Sequence, residues 1–135
     1  MPDVKVNGIN LGISDLKILI VEDDETSKIL LSIIVEELSQ VIVNVRNGLE
    51  AIEACRNNTD FDLILMDIRM SEMNGYEATR DIRQFNQEVV IIAQTAFAFS
   101  GDKELALEAG CNDYITKPIV KTELFQMINK HIKRV

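Results

Sequence analysis

The chain has 135 residues, 47% of them apolar, which suits one folded domain with a single sizeable core. Its 22 acidic and 14 basic residues give a net charge of -8, which argues against direct binding to nucleic acid or to anionic membranes. No signal-like segment opens the chain and no run approaches the roughly 20 apolar residues of a membrane helix, so we expect a cytoplasmic domain.

The first 14 residues contain two glycines and two asparagines without hydrophobic periodicity. Such composition is typical of linkers and frayed chain ends. We predict a linker or disordered end over residues 1–14 and one domain over residues 15–135.

From Leu16 onward, short apolar runs alternate with segments whose apolar residues recur every three or four positions. The runs are LKILIV, VIVNV, FDLILM, VVIIAQT and DYIT. Strands that are apolar on both faces need cover on both sides, so the pattern predicts an α/β fold. We expect five mainly parallel strands, joined by five helices that pack on both faces of the sheet.

The first two helices have polar residues suited to capping. Asp24 should cap the first, because its carboxylate can accept hydrogen bonds from first-turn amides. Asn47, with Glu50 three positions later, forms a variant of the capping box at the second. The residues expected to face the core are Ile29, Ile33, Ile34 and Leu38 in the first helix and Leu49, Ile52 and Cys55 in the second.

The later helices are bounded by turn residues. The Asn74-Gly75 pair predicts a turn before a third helix over Tyr76–Gln84, and a fourth helix should start at Ser100 and stop at Gly110. The last helix should bury Leu124, Phe125, Ile128 and Ile132.

The cysteines and the single histidine do not suggest a catalytic site. Cys55 and Cys111 lack metal-ligand spacing and are predicted to be reduced packing residues. His131 lies near the chain end, where we expect a surface or helix-end residue rather than an acid–base catalyst or a metal ligand.

Polar residues gather where the predicted strands end. In open parallel sheets, ligands bind beyond the carboxyl ends of the strands. The groups after the first, third, fourth and fifth runs are Glu22-Asp23-Asp24, Asp67, Thr95 and Lys117. Crowded carboxylates repel one another, and a hard divalent cation relieves that repulsion. Because magnesium takes few carboxylates and leaves room for a phosphoryl oxygen, we predict Mg2+ with Asp23 and Asp67 as direct ligands.

These residue types suit phosphoryl transfer. A carboxylate that binds magnesium through one oxygen can attack phosphorus with the other, and Asp67 is placed to form an aspartyl phosphate. Lys117 could neutralise phosphoryl oxygens, and the Thr95 hydroxyl could donate to one of them. Taken singly, Lys117 would be a solvated lysine and Thr95 a strand-favouring residue, so both roles depend on proximity to Asp67.

Four segments in order, ILIVEDDE, LILMDIRM, IIAQTA and GCNDYITKPI, resemble the receiver domains of response regulators over about residues 16 to 132. MDIRMSEMNGYEATR and GCNDYITKPI are most similar to receivers fused to hybrid sensor histidine kinases. The resemblance implies a flavodoxin-like, three-layer doubly wound (βα)5 fold with strand order 2-1-3-4-5. It also implies a phosphoacceptor domain of a two-component phosphorelay, which is a signalling domain and not an enzyme by itself.

The resemblance further assigns roles around the metal. Asp67 would be the phosphoacceptor, and Glu22 and Asp23 would form the acidic pocket, with Glu22 reaching the metal through water. Arg69 would offer magnesium its backbone carbonyl. Glu22 is longer than the aspartate often found at its position, and Ser71 replaces the usual proline, so the loop after Asp67 should be less rigid.

The remaining implied roles concern signalling. Thr95 and Lys117 would contact the phosphoryl group, and Thr95 with Tyr114 would form the conformational switch. Tyr114 alone could equally be a packed β-strand residue. The expected partner is a histidine kinase dimerisation domain or a histidine phosphotransfer domain, with a weak homodimer left open. The bulky Phe97 and Arg69, two positions beyond Thr95 and Asp67, predict slow self-dephosphorylation.

There are three alternatives to the hybrid-kinase interpretation. A stand-alone single-domain response regulator would carry the same motifs. A flavodoxin-like electron carrier needs a Ser/Thr/Gly-rich phosphate cradle after the first strand, where this chain has acids. A magnesium-dependent phosphatase of the haloacid dehalogenase type carries a second aspartate two residues after its nucleophile, and position 69 here is arginine.

Overall fold

The computed structural model describes residues 5–6, 9–10, 15–70, 73–96 and 101–132. The strands of its main sheet are β1 (Leu16–Val21), β2 (Ser39–Val45), β3 (Leu63–Asp67), β4 (Val90–Thr95) and β5 (Asp113–Thr116). The α-helices are α1 (Glu25–Val35), α2 (Gly48–Asn57), α3 (Gly75–Arg83), α4 (Asp102–Ala109) and α5 (Lys121–His131). A short 3-10 helix, Glu36–Leu38, follows α1.

The sheet has the order β2-β1-β3-β4-β5, and every neighbouring pair is parallel. The predicted fold class and strand order are therefore confirmed. Two further strands, Lys5–Val6 and Ile9–Asn10, pair antiparallel with each other. They lie within residues 1–14, for which a linker or disordered end stays a prediction, as does the domain boundary at residue 15.

Two apolar cores lie on opposite faces of the sheet, as continuous apolar strands require. On one face, α1 and α5 pack against alternate strand residues, with Phe125 among the largest fully buried side chains. On the other face, α2, α3 and α4 pack against the intervening strand residues. The four residues predicted to be buried in the last helical segment, Leu124, Phe125, Ile128 and Ile132, all belong to the first core.

Two of the predicted helix faces are partly wrong. In α1, Ile29 is 51% exposed and Ile33 is 61% exposed, and the buried residues of α1 are Leu31, Ile34 and Val35. The apolar residues of α1 lie on several faces of the helix, so periodicity alone does not decide which face is buried. Packing on the sheet buries the face that continues to Leu38. In α2, Leu49 is exposed, and Gly48, Ala51, Ile52 and Cys55 face inward.

The helix starts follow the predicted caps. The Asp24 carboxylate accepts from the Ser27 amide at 2.9 Å, and the Asn47 side chain accepts from the Glu50 amide at 2.9 Å. The Glu50 carboxylate turns back to the amide of Arg46 at 2.8 Å, one residue earlier than a standard capping box. The α4 helix ends, as predicted, at Gly110 with φ of 113°. Its predicted start, Ser100, lies outside the described residues.

Glycine is required where α3 meets the end of β3. A Cβ on Gly75 would lie 2.5 Å from the backbone oxygen of Asp67, closer than nonbonded atoms approach. The Gly75 amide donates to the Ile68 carbonyl at 3.0 Å. The start of α3 is therefore held directly against the strand end that carries Asp67.

The cysteines and the histidine occupy structural positions. Cys55 and Cys111 are buried and free, as predicted. His131 ends α5, and its Nε2 lies 2.7 Å from a carboxylate oxygen of Asp113 on β5. The helix-end prediction is confirmed, but the side chain is half-buried and paired rather than a free surface group.

Candidate metal centre

Three carboxylates meet at the carboxyl edge of the sheet. Glu22 and Asp23 follow β1, and Asp67 ends the adjacent strand β3. One oxygen from each lies within 4.8 Å of the others. Glu22 is 1% exposed and Asp67 is 4% exposed, whereas Asp23 is exposed to solvent. The cluster is thus buried on one side and open on the other, as entry of an ion and a substrate requires.

The cluster carries more negative charge than its surroundings balance. Burial and then hydrogen bonding and repulsion from Glu22 raise the pKa of Asp67 to about 7. Opposing this rise, the Lys117 ammonium and the Arg69 amide, which donates to Asp67 Oδ1 at 3.3 Å, lower the same pKa. Lys117 lies closest to Glu22, with Nζ 2.6 Å from Oε1. Glu22 Oε2 accepts from the Asp24 amide at 3.1 Å.

The donor set fits a hard divalent cation. All three candidate ligands are carboxylates, and such an ion would favour ionised Asp67 at neutral pH. The partial exposure of the cluster leaves space for waters and a phosphoryl oxygen, which suits magnesium better than a closed calcium cage. Asp24 was predicted to be an N-cap and not a ligand. Its carboxylate accepts a hydrogen bond from the Ser27 amide at the start of α1.

Thr95 and Lys117 come from the two strands beyond β3. In the sheet, Asp67 pairs with Gln94, so buried Thr95 lies one position further toward the same edge. The Thr95 carbonyl accepts from the Lys117 amide at 2.7 Å. Both residues therefore belong to the edge that carries the carboxylates, as their positions after the fourth and fifth runs predicted.

Tyr114 lies in a neighbouring cluster around Asp102. Burial and then the Asp102 carboxylate raise the pKa of the half-buried Tyr114. The Tyr76 hydroxyl donates to the Asp102 carbonyl at 3.3 Å. An Arg69 guanidinium nitrogen lies 3.7 Å from an Asp102 carboxylate oxygen, so residue 69 contacts both Asp67 and α4.

Sequence reasoning missed two buried polar residues beside the site. Asp102 looked like an ordinary acidic residue near a helix start, and only the fold brings Arg69 and Tyr76 to it. Gln94 lies inside an apolar run, and that interruption was the only available signal. Ser71 and Phe97 lie outside the described residues, so the loop and dephosphorylation hypotheses stay predictions. The Arg69 carbonyl as a ligand also stays a prediction.

Comparison with known proteins identifies the family. The family model of the response regulator receiver domain matches residues 18–129. The polar-differentiation response regulator DivK of Brucella anthropi is 36% identical over 117 residues, covering 85% of this chain and 94% of DivK. The sensor histidine kinase GacS of Pseudomonas protegens is 34% identical over 119 residues, covering 84% of this chain but 13% of GacS. Hybrid signal transduction histidine kinase B of Dictyostelium discoideum is 38% identical over 130 residues, covering 86% of this chain and 7% of that kinase.

Solved structures agree with these relatives. The receiver domain of sensor histidine kinase PA1611 from Pseudomonas aeruginosa, with magnesium coordinated in its active site cleft, matches with a TM-score of 0.77. It is 35% identical, and the match covers 87% of this chain and 98% of that one. The Saccharomyces cerevisiae co-crystal of the phosphotransfer protein Ypd1 with the receiver domain of Ssk1 gives a TM-score of 0.80 at 30% identity, covering 88% of this chain and 90% of the matched one. Among the described residues, no helix is long and apolar enough to span a membrane.

Proposed function

The chain belongs to the response regulator receiver domain family and is a receiver domain of two-component systems, and from this premise we propose that it accepts a phosphoryl group from phosphohistidine onto Asp67. The observation that supports this assignment is the burial of Asp67 beside Glu22 and Asp23 at the sheet edge. A carboxylate held at the edge of such a cluster has one oxygen for a cation and one for phosphorus.

We propose Mg2+ as the cation. Asp23 and Asp67 would bind it directly, Arg69 would contribute its backbone carbonyl, and Glu22 would act through water. When bound, the ion neutralises the carboxylates and the incoming phosphoryl oxygens. The coordinated magnesium of the PA1611 receiver domain supports the choice of metal.

The chain's own residues then carry the transfer. One Asp67 oxygen forms a bond to phosphorus as the phosphorus–nitrogen bond of the donor breaks, and the electron pair of that bond returns to the imidazole nitrogen. Lys117, now paired with Glu22, would turn toward the equatorial phosphoryl oxygens. Transfer requires no general base, because the nucleophile is an ionised carboxylate.

The phosphoryl group would change the conformation through Thr95 and Tyr114. Thr95 would donate a hydrogen bond from its hydroxyl to a phosphoryl oxygen, and Thr95 and Tyr114 would both move toward the phosphoryl group. The Asp102 cluster supports this, since Arg69 and α4 meet there next to Tyr114. The predicted slow self-dephosphorylation is part of the same proposal.

The parent protein is proposed to be a hybrid histidine kinase. The chain spans nearly all of DivK but about an eighth or less of the matched kinases, so it has counterparts of both kinds. A stand-alone response regulator is the alternative. In either case the proposed donor is a histidine phosphotransfer domain or a kinase dimerisation domain, with the Ypd1 complex as a precedent, and the proposed location is cytoplasmic.

Intact mass spectrometry tests the acceptor. The chain is incubated with acetyl phosphate and Mg2+, and we expect a single phosphoryl adduct that is lost in Asp67→Asn and without Mg2+. Asp60→Asn is the matched control. Asp60, which pairs with Lys17, is an exposed carboxylate that precedes β3, whereas Asp67 ends this strand. An adduct that persists in Asp67→Asn would exclude Asp67 as the acceptor.

A further inference from the structure

Gln94 is a buried polar residue without a protein partner among the described residues. It belongs to β4, where Val90 and Ile92, at the alternate positions before it, face the core beneath α1 and α5. The side chain is 1% exposed. Neither its amide nitrogen nor its amide oxygen has a hydrogen-bond partner in the described structure.

Gln94 is one of the residues that line a cavity of about 180 Å³. The cavity lies between Leu30 and Leu31 of α1 and the segment Lys117–Ile119 that follows β5. Its walls are therefore largely aliphatic, and one of the lining residues, Gln94, carries a buried amide with both a donor and an acceptor. A short aliphatic group ending in a carboxamide matches these walls in both polarity and hydrogen bonding.

An unpaired carboxamide inside a protein opposes folding. Leaving such a group without a partner makes the folded state less stable than an apolar residue of the same shape would. The other residues of β4 before Thr95 are Val, Ile, Ile and Ala, so an apolar side chain would suit the strand at position 94. A buried polar group of this kind in a native fold calls for an explanation, and a partner from outside the domain supplies one.

The cavity adjoins the phosphorylation site. Lys117 contributes to its wall and also contacts Glu22 of the acidic cluster at 2.6 Å. Leu30 is 48% exposed, and Val120, next to Ile119, is exposed as well. Because the cavity and the acidic cluster share Lys117, a phosphodonor that docks over Lys117 would cover this cavity with part of its surface.

We propose, building on the proposed phosphoacceptor function, that the cavity takes an asparagine or glutamine side chain of the phosphodonor protein and that Gln94 is a specificity-determining residue of the transfer. A donor that covers the cavity with a purely apolar surface seals the Gln94 amide away from any partner. A donor that inserts a carboxamide pairs both amide atoms. Loss of such a pairing discriminates more strongly than loss of apolar contact alone.

Binding is tested first with a small probe. Propionamide, which reproduces the end of a glutamine side chain, is titrated into the full chain with Mg2+ while amide NMR signals are followed, including the side-chain NH2 of Gln94. We expect saturable shifts at Gln94, Leu30 and Ile119. Butanone has nearly the same shape without N–H donors and should bind about tenfold more weakly. Gln94→Met should abolish the preference, whereas Gln87→Met, at an exposed position, should retain it.

Specificity is tested by kinetics. Histidine-phosphorylated domains from the same genome are screened, and the fastest serves as the donor. For each variant, kcat/KM for transfer from this donor is divided by the rate of labelling by acetyl phosphate. We expect Gln94→Met to lower this ratio about tenfold, and Gln87→Met to leave it unchanged. An unchanged ratio in Gln94→Met, or propionamide binding that is absent or independent of Gln94, would overturn the proposal. Failure of acetyl phosphate to label the wild-type chain would instead overturn the phosphoacceptor assignment.

Discussion

Replacing Asp67 by asparagine should stabilise the metal-free protein at neutral pH. In the fold, burial and Glu22 raise the pKa of Asp67 from 3.8 to about 7. At pH 8 the wild-type carboxylate is therefore charged in surroundings that favour its neutral form. Asparagine keeps the shape of the side chain, removes the charge and still offers a hydrogen-bonding oxygen.

The magnitude follows from the pKa change. A rise from 3.8 to about 7 corresponds to at most about 4 kcal/mol of disfavoured charge at pH 8. Lys117 and solvent at the open side of the cluster compensate part of this, so we expect Asp67→Asn to increase the free energy of unfolding by about 1–3 kcal/mol. Because the folded-state pKa is raised, the stability linked to protonation of Asp67 is fully present below pH 3.8 and is lost as pH rises through about 7.

Urea unfolding with EDTA at pH 8 and pH 5 measures the effect. The advantage of Asp67→Asn over wild type should be largest at pH 8 and should shrink at pH 5, where folded wild type is largely protonated. Asp60→Asn is the control, because the pKa of exposed Asp60 is lowered by Lys17 and its charge is not disfavoured. Adding Mg2+ should stabilise wild type and not Asp67→Asn. Destabilisation by Asp67→Asn at pH 8 in EDTA would refute the reasoning.

Further predictions concern the site and its support. Magnesium affinity should fall as pH drops below about 7, because the ion competes with a proton on Asp67, and a pH-independent affinity by calorimetry would contradict this. Gly75→Ala should destabilise the fold by about 1–3 kcal/mol and slow acetyl phosphate labelling, because its Cβ meets the Asp67 carbonyl. Arg83→Lys should cost about 2 kcal/mol in urea unfolding, since Arg83 donates to the Gly110 and Asn86 carbonyls and to the Asn112 side chain; unchanged stability would argue against that role. Gln94→Met should raise the thermal midpoint, and a lower midpoint would mean that the amide is already well paired.

The sequence was most informative where local rules decide the structure. Asp24 and Asn47 cap their helices as predicted, because each side-chain oxygen accepts from an amide three residues later in the chain and needs no tertiary partner. Asn74, predicted only as a turn residue, caps its helix in the same way. The strand ends could also be read, since parallel strands bring their carboxyl termini to one edge. Asp67 and Lys117 were therefore placed together although 50 positions separate them in the printed sequence.

Features that depend on tertiary packing could not be read in this way. Because α1 has apolar residues on several faces, only its packing against the sheet decides that Leu31 is buried and Ile33 is exposed. The burial of Asp102 follows from contacts with Arg69 and Tyr76, which come from other segments. The same holds for Gln94, because its isolation depends on how α1 and the segment after β5 pack around it.

The contact between Glu22 and Lys117 spans 95 positions of the chain and has consequences for folding during synthesis. Closing a loop of this length costs more chain entropy than closing a short one. A nascent polypeptide that has left the ribosome only through β4 has Asp67 but not the lysine. If Lys117 has the role proposed above, the chain becomes able to receive a phosphoryl group only once the residues after the last strand have been made.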